Sequence, residues 1–528
     1  MKKSFPVSII FLALFCLLTF VYAITRFRYF YHDDEMITLR YVRNFLNHKG
    51  LTWNPGEKVE GYTNFLHLVF SSLIVRLTGD FLLAPRVVNF IFFGLMIFFA
   101  LYLFNRKFTG TKERQLLLLL SFLLIVATYP GIIIWTYGGL ETVMYTSVLF
   151  MAFSSLLYLS TGVKNSIWSG VLFTAAAMTR PDGIMFFALS VCYLFLISIK
   201  LKNWKPFIAF VLTFLLLFGS YFLWRYLYYG QLLPNTFYAK TNFTEEKFSI
   251  GLRYVSRFAG SIILVIVAVI FLLWKNTVVI KTLSAKAILL LLSVCMYGAY
   301  IIVYGGDHML GFRFLIPLLP LIALLCAELS VKLSMKDLYI ATAFLAANVL
   351  FVYTYNQDEF KNAVVTDPAA YNGALVGNYL ETTLPKNLLI ATNSAGAIPF
   401  FAKDDRFIDM LGLCDTTISH RKNIPMLAPW QHVPGHEKGD GNYVFNRKPD
   451  IIILGPSHGT ADKAWFLSDD ELLANPLFKK EYKKQVVQIP VSYLKLNSMI
   501  VFHENLAVDS LTFTYYKRNV NNINELIH

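Results

Sequence analysis

Long apolar runs alternate with short polar stretches over the first two thirds of the chain. A membrane-spanning helix needs roughly 20 apolar residues, with a range of about 17–25. About eleven runs meet or approach this length. They are residues 7–24, 84–104, 115–134, 142–160, 165–179, 183–199, 206–229, 258–274, 287–304, 313–331 and 337–354. The pattern predicts an α-helical polytopic membrane protein, with the shorter run 65–79 as a re-entrant or interfacial segment rather than a span.

Basic residues between the runs predict which side each loop faces. If 65–79 does not cross the membrane, the lysines and arginines gather in loops on one side, as cytoplasmic loops require. The other, outer side then receives most acidic residues that precede residue 355. Lys2, Lys3 and the small residue Ala23 make the first run similar to a signal peptide. Because further spans follow, an uncleaved first span is predicted.

The chain after residue 355 is polar enough to form a soluble domain on the outer side. Short β-rich runs and a helical stretch near residues 461–482 predict a small α/β fold. The β-rich runs are residues 388–392, 407–410, 451–454, 485–491 and 499–503. The predicted domains are a membrane module, 1–355, with a long outer loop at 25–83 that is the main candidate for a functional site, and an extracytoplasmic α/β domain, 356–528.

Composition supports a membrane protein and excludes several other classes. Only 15% of residues are charged, whereas a soluble protein carries about a quarter. The net charge of +14 does not indicate a nucleic-acid partner, because the bases lie in short loops between apolar runs. The cysteines form no CxxC pair, and no HExxH motif is present, so no metal site is predicted. Phosphate-binding GxGxxG and Walker loops are also missing from the sequence.

The first outer loop carries the most informative motif. Asp33 and Asp34 follow the first span directly, and a helix is predicted to begin there, since acidic residues favour a helix N-terminus. Asp33 and Arg40 lie two turns apart and therefore share a helix face, close to Asn44. A carboxylate can act as a base, and a guanidinium can bind phosphate through two hydrogen bonds. The same residues are equally consistent with a helix cap and a solvated face.

Further outer loops combine acidic, basic and polar residues in the runs NPGEKVEGYTN, WTYGGLET, TRPDG, GQLLPNTFYAK and GGDHMLGFRF. Ionisable residues at membrane depth are functional candidates by default, although each alone can be a structural ion pair. Together they predict one shared site. The phosphate-binding candidates are Arg40, Arg180, Lys240 and Arg313. The candidates for binding sugar or acceptor are Asn44, Glu57, Glu60, Tyr62, Asn64, Glu141, Asp182, Asn235, Tyr238, Asp307 and His308.

These motifs together resemble the GT-C glycosyltransferases related to the mycobacterial terminal β-(1→2)-arabinofuranosyltransferase. The likeness runs in order to the segment TNSAGAIPFFAKDDRFIDMLGLCD, residues 392–415. It implies a GT-C fold, a polyprenyl-phosphate sugar donor and transfer on the outer face of a bacterial inner membrane. It also implies that Asp33 and Asp34 are catalytic. His67 and His308 stand where related enzymes are expected to have Trp, so the resemblance does not assign the sugar.

The expected chemistry fits the residues. Transfer from a polyprenyl phosphate needs a base for the acceptor hydroxyl and fixed cations for the leaving phosphate. The expected partners are the donor, membrane lipids and an envelope glycan, lipid or protein acceptor. The residues leave open whether transfer inverts or retains and whether a divalent cation takes part. Two alternatives are a non-enzymatic GT-C-like protein of envelope or flagellar assembly, and a transporter, whose charges should lie near the membrane midplane.

Overall fold

The structure, a computed structural model, describes residues 7–108, 110–159, 162–240, 245–280, 283–355, 357–433, 435–460, 462–494 and 509–519. The first two thirds of the chain form helices. They are α1 (Val7–Phe27), α2 (Asp33–Leu46), α3 (Phe65–Thr78), α4 (Leu83–Arg106), α5 (Lys112–Val126), α6 (Pro130–Tyr137), α7 (Thr142–Tyr158), α8 (Val163–Thr179), α9 (Gly183–Leu201), α10 (Lys205–Tyr229), α11 (Asn235–Lys240), α12 (Glu245–Ser261), α13 (Ile263–Lys275), α14 (Ala285–Tyr304), α15 (Leu318–Ser330) and α16 (Met335–Tyr355).

The C-terminal third combines short helices with a small sheet. Its helices are α17 (Gln357–Lys361), α18 (Pro368–Thr383), α19 (Ala397–Phe401), α20 (Thr416–Ser419), α21 (Gly441–Asn446), α22 (Leu467–Ala474) and α23 (Phe478–Glu481). Its strands are β1 (Leu389–Thr392), β2 (Arg406–Asp409), β3 (Ile451–Ile453), β4 (Tyr482–Pro490) and β5 (Ser510–Arg518).

The apolar helices confirm a multi-pass membrane protein. Within the described ranges, 6 helices are long and apolar enough to cross a membrane, or up to 8 if each of two bent pairs is one span. The shorter apolar helices are α3, α7 and α15. Because these are too short to count by length alone, the larger number of spans that the sequence suggests stays a prediction.

Two predicted spans are bent rather than straight. The run 115–134 is broken between α5 and α6, which meet at 62°. Pro130 begins α6, and a proline has no N–H with which to continue the preceding helix. The run 258–274 contains the junction of α12 and α13, which are bent by 76° at Ile262, where the backbone leaves the helical region.

Burial separates central helices from those that face lipid. Nearly all residues of α7 and α15 are buried, so these helices lie inside the bundle. In contrast, only 11% of the span window in α10 is buried. Its exposed side chains are mostly apolar, which suits a helix in contact with lipid tails.

The sheet has the strand order β2-β1-β3-β5-β4. Strand β1 pairs in parallel with β2 and β3, whereas β5 runs antiparallel to β3 and β4. Four predicted β-rich runs coincide with β1–β4, and the run 499–503 lies outside the described residues. Strand β5 was not predicted, because its sequence, SLTFTYYKR, mixes aromatic and polar residues without a long apolar run.

The sheet packs against the first outer loop and thereby fixes its position. Ile390, Phe407 and Ile451 belong to one apolar core with Tyr41 and Trp53 of that loop. Alternate strand residues face the other side, where they pack on α21–α23, as the period of a strand requires. The first outer loop is therefore held between the membrane bundle and the C-terminal domain, which we call the outer domain after the side on which the sequence predicts it.

Candidate functional site

A cavity of about 200 Å³ lies where the bundle helices meet the first outer loop, residues 25–83, and residue 413 of the outer domain. We call it the junction cavity. Many predicted site residues line it, together with a few that were not predicted. Its polar and charged lining includes Asp34, Thr38, Tyr62, Thr63, Asn64, Glu141, Arg180, Asp182, Thr236, Lys240, Tyr300, Tyr304 and Arg313, and its apolar lining includes Leu140, Leu233, Phe237, Phe314 and Leu413.

Arg180 is already paired with two acids of the cavity wall. Its Nη1 lies 2.8 Å from Glu141 Oε1, and its Nη2 lies 3.0 Å from Asp182 Oδ2. Asn64 donates to Glu141 at 3.2 Å, and Tyr297 donates to Asp182 at 2.8 Å. Although burial opposes ionisation, Arg180 and Arg313 lower the pKa of Glu141. The two carboxylates neutralise much of the charge of Arg180. In this structure Arg180 therefore holds Glu141 and Asp182 in position in the cavity wall.

Arg313 and Lys240 form fewer hydrogen bonds and ion pairs than Arg180. Arg313 donates through Nε to Asp307 at 2.9 Å, and its guanidinium lies beside the rings of Trp135 and Phe314. Burial opposes the ionisation of Asp307, but Arg313, His308 and Lys240 lower its pKa overall. Across the described part of the chain, no hydrogen bond is formed by the terminal nitrogens of Arg313 or by Lys240 Nζ. Both side chains can therefore offer donors to an anion in the cavity.

Asp34 provides the carboxylate that faces these cations. It lies in the first turn of α2, where its backbone N–H donates to His32 Nδ1 at 3.2 Å. Burial opposes ionisation of Asp34, but His32, Lys240, His308 and Arg313 together lower its pKa. Asp34 is therefore an ionised acceptor at neutral pH, next to cations with unused donors.

Asp33 points away from the cavity, into the outer domain. Its Oδ1 accepts a hydrogen bond from the Ala397 N–H at 2.7 Å, and both carboxylate oxygens lie 3.3 Å from Ser394 Oγ. A side chain at Gly396 would collide with Asp33, so the two segments are in close contact. Burial raises the pKa of Asp33 to about 7. The structure thus places the two adjacent carboxylates in different surroundings.

Arg40 and Asn44 also lie outside the cavity, so the structure does not bring them together with the other candidates, and their predicted roles stay predictions. Arg40 Nε donates to the Trp53 carbonyl at 2.8 Å and its Nη2 to the Asp405 carbonyl at 2.9 Å, while Nη1 donates to the Pro399 carbonyl. Asn44 Nδ2 donates to the Trp53 carbonyl at 3.0 Å. Asp33 and Arg40 do share a face of α2, but that face meets the outer domain.

Several other candidates join parts of the fold rather than line the cavity. The contacts are Glu57 with Arg406, Glu60 with Arg225 at 2.7 Å, Asn235 with the carbonyls of Gly412 and Leu413 at 2.9 Å, and the Tyr238 ring with that of His420 at 4.2 Å. Asp307 and His308 line a small neighbouring cavity, which also includes Lys240 and Lys247.

Some residues near the cavity could not be recognised from the sequence as candidates for the site. Tyr300 and Tyr304 belong to an apolar span, so nothing distinguishes them from other aromatic residues of α14. Lys247 pairs with Glu437 at 2.6 Å, and the ring of His308 lies 4.9 Å from that of His436. These pairs join distant parts of the chain, which a single sequence cannot bring together. Among the described residues, no group of three or more His, Cys, Asp or Glu side chains is arranged to hold a metal ion.

Two curated proteins resemble the chain in sequence. The terminal beta-(1->2)-arabinofuranosyltransferase of Mycobacterium tuberculosis is 27% identical over 254 residues, covering 43% of this chain and 37% of that protein. The protein of the same name from Corynebacterium glutamicum is 24% identical over 336 residues, covering 55% and 46%. The chain thus spans less than half the length of either relative. Residues 363–505 match a domain of unknown function, DUF8728.

Solved structures of ArnT from Cupriavidus metallidurans share the architecture. The structure bound to undecaprenyl phosphate superposes with a TM-score of 0.52 at 11% identity and covers 75% of this chain and 85% of ArnT. The apo structure gives a TM-score of 0.50, also at 11% identity, and covers 75% and 84%. The chain has a GT-C fold. For this GT-C protein, the predicted fold class and the predicted likeness to the arabinofuranosyltransferases are confirmed, whereas the roles of single site residues stay predictions.

Proposed function

We propose that this GT-C protein transfers a sugar from a polyprenyl-phosphate-linked donor to an acceptor hydroxyl in the junction cavity. The observation that carries the proposal is that the carboxylate residue Asp34 and the basic residues Arg313 and Lys240 line the same cavity. The names of the two relatives describe a glycosyltransferase, and ArnT has been solved with undecaprenyl phosphate, a polyprenyl phosphate. These likenesses support the same chemistry for this chain.

Each side chain then has a defined task. Asp34 accepts the proton of the acceptor hydroxyl, while the oxygen of that hydroxyl bonds to the anomeric carbon of the sugar. The bond between that carbon and the phosphate oxygen breaks, and polyprenyl phosphate leaves with the electron pair. Arg313 and Lys240 stabilise the charge that develops on the leaving phosphate. Arg180 holds Glu141 and Asp182, whose free lone pairs can orient sugar hydroxyls.

We place the reaction on the outer face of a bacterial inner membrane. The cavity lies at the helix ends that carry the acidic loops, opposite the basic loops expected to be cytoplasmic. An acceptor reached from that side is a glycan, lipid or protein of the cell envelope. Because Asp34 faces the cavity and Asp33 faces the outer domain, we assign the base to Asp34 and a docking role to Asp33.

The neighbouring carboxylates provide a matched test. The purified protein and its Asp34→Asn and Asp33→Asn variants are supplied with labelled polyprenyl-phosphate pentoses and hexoses and with envelope acceptors. Asn at 34 cannot take a proton, so transfer should fall by roughly 10²–10⁴-fold. Asn at 33 keeps an oxygen for Ser394 and Ala397, so transfer should stay within a few-fold of the parent.

Three outcomes would contradict the proposal. Folded Asp34→Asn protein with normal turnover would remove Asp34 as the base. A large loss in Asp33→Asn alone would return the chemistry to Asp33. If the parent protein transferred no sugar from any polyprenyl-phosphate donor, the donor class would be wrong.

A further inference from the structure

An outer-domain segment between α20 and α21 exposes large apolar side chains. Met426 is 99% exposed and Trp430 is 69% exposed, and Lys422 beside them is also exposed. Single apolar residues on a surface need no explanation. A methionine and a tryptophan this exposed within one short segment, residues 424–430, indicate a surface that contacts something else.

Both ends of this segment are fastened to the outer end of the membrane bundle. Before it, the His420 ring packs on the Tyr238 ring of α11, with ring centres 4.2 Å apart. After it, Glu437 forms an ion pair with Lys247 of α12 at 2.6 Å. The segment therefore extends from a base on α11 and α12, beside the membrane module.

The apolar surface of a membrane span continues to this base. Helix α10, a candidate span, ends at Tyr229, and Leu227 in its last turn is 74% exposed. Past the end of α10, Leu232 and Phe237 remain exposed, at 61% and 45%. Phe237 also lines the junction cavity. These exposed apolar residues form a strip along the chain from the last turn of α10 to α11, and α11 carries Tyr238, the contact of His420 at the base of the segment.

We infer that residues 424–430, with Met426 and Trp430 outermost, insert into the lipid headgroup region beside the junction cavity. Tryptophan is enriched at membrane–water interfaces, where its ring is partly buried and its N–H can reach water. Interfacial binding grows with the buried apolar area and with nearby basic residues, here Lys422. The outer domain would then rest on the membrane at the side where Phe237 borders the cavity. This inference does not depend on the proposed reaction.

The competing occupant is a sugar ring of a glycan acceptor stacked on Trp430. The two differ in where the segment lies when no acceptor is present. Lipid contact predicts burial in a membrane of lipid alone, whereas sugar stacking predicts exposure to water until an oligosaccharide is added. The strip that leads to α10 favours lipid.

Fluorescence depth measurements separate the two. The full chain, with the exposed Cys192 and Cys295 changed to Ser, carries an environment-sensitive dye at Met426→Cys and is reconstituted in bilayers that contain anionic lipid. The matched controls are Val486→Cys, a 56% exposed apolar position on strand β4, and Leu227→Cys at the end of α10. All three sites are exposed, so labelling should not disturb folding.

We expect the dye at position 426 to show blue-shifted emission. Its quenching by nitroxide lipids at headgroup level should be several-fold greater than that of the dye at position 486 and close to that of the dye at position 227. Emission at 426 that matches 486 and is quenched only by a water-soluble quencher would overturn the inference. A response at 426 to added envelope oligosaccharide, without lipid quenching, would also overturn it and would assign the segment to the acceptor.

Discussion

Arg40→Gln should destabilise the protein rather than weaken binding of the donor. The Arg40 guanidinium is buried and joins α2 to three backbone carbonyls, of which those of Pro399 and Asp405 belong to the outer domain. Its charge also lies over the rings of Trp53 and Phe407. A shorter, neutral Gln cannot reach all three carbonyls.

The size of the stability loss in Arg40→Gln depends on how many carbonyls are left without a hydrogen-bond donor. Trp53 keeps a hydrogen bond from Asn44 Nδ2 at 3.0 Å, so two carbonyls carry most of the cost. A buried polar group without its partner costs about 1–3 kcal/mol, which gives roughly 2–6 kcal/mol for the pair. The upper part of this range exceeds the cost of most single substitutions, which is typically about 0.5–3 kcal/mol.

Thermal unfolding and limited proteolysis in detergent can measure this effect. The matched control is Arg406→Gln, because Arg406 also links the first outer loop to the outer domain, through Glu57, but its side chain is 54% exposed. Such surface pairs contribute about 0.2–1 kcal/mol. Arg40→Gln should unfold at a clearly lower temperature and release the outer domain to protease sooner than Arg406→Gln. Parent-like unfolding combined with weaker use of the donor would refute this reasoning and restore Arg40 as a phosphate ligand.

Other predictions concern the cavity, the pH dependence and the orientation. Arg313→Gln should reduce donor use about ten- to hundred-fold, since a hydrogen bond to a charged group is worth roughly 1.5–3 kcal/mol; unchanged donor kinetics in the folded variant would place the phosphate elsewhere. Burial raises the pKa of Asp33 to about 7, above its unfolded value of about 3.9. Its contribution to stability is therefore complete below about pH 4 and is lost as the pH rises through 7. The unfolding temperature of the parent protein should therefore fall between about pH 4 and pH 7, and Asp33→Asn should make this fall smaller. If the variant showed the same dependence of unfolding temperature on pH, Asp33 would not be its cause. Cysteines at 57 and 403, where the native side chains are 36% and 55% exposed, should react with an impermeant reagent from outside and a cysteine at 202 should not, so outside labelling of 202 would reverse the proposed orientation.

Much of the architecture could be predicted because it depends on local patterns. Apolar runs marked the membrane helices, and four β-rich runs matched strands. The bends at Ile262 and before Pro130 could not be predicted as angles, since apolar composition does not specify direction. Strand β5 was not predicted, because it is a strand through its pairing with β3 and β4 and not through its own composition.

The candidate site was only partly predictable, because a motif shows which residues are near one another but not which way they point. Glu141, Arg180, Asp182 and Arg313 line one cavity, as the outer-loop motifs suggested. Glu57 and Asn235 came from equally suggestive motifs, yet they bind the outer domain. Their partners lie far away in the chain, and only the folded structure reveals them.

The acidic start of α2 explains why the outer loop is so well fixed around the cavity. Successive helical residues are about 100° apart, so Asp33, Asp34 and Glu35 point in three directions. Asp33 binds the Ala397 N–H of the outer domain, and Glu35 forms a buried ion pair with Arg86 of α4 at 2.6 Å. The first and third acids thus fasten the helix end to two different parts of the protein. Because both neighbours are held, the backbone at Asp34 is fixed, and this keeps its side chain on the side of α2 that lines the cavity.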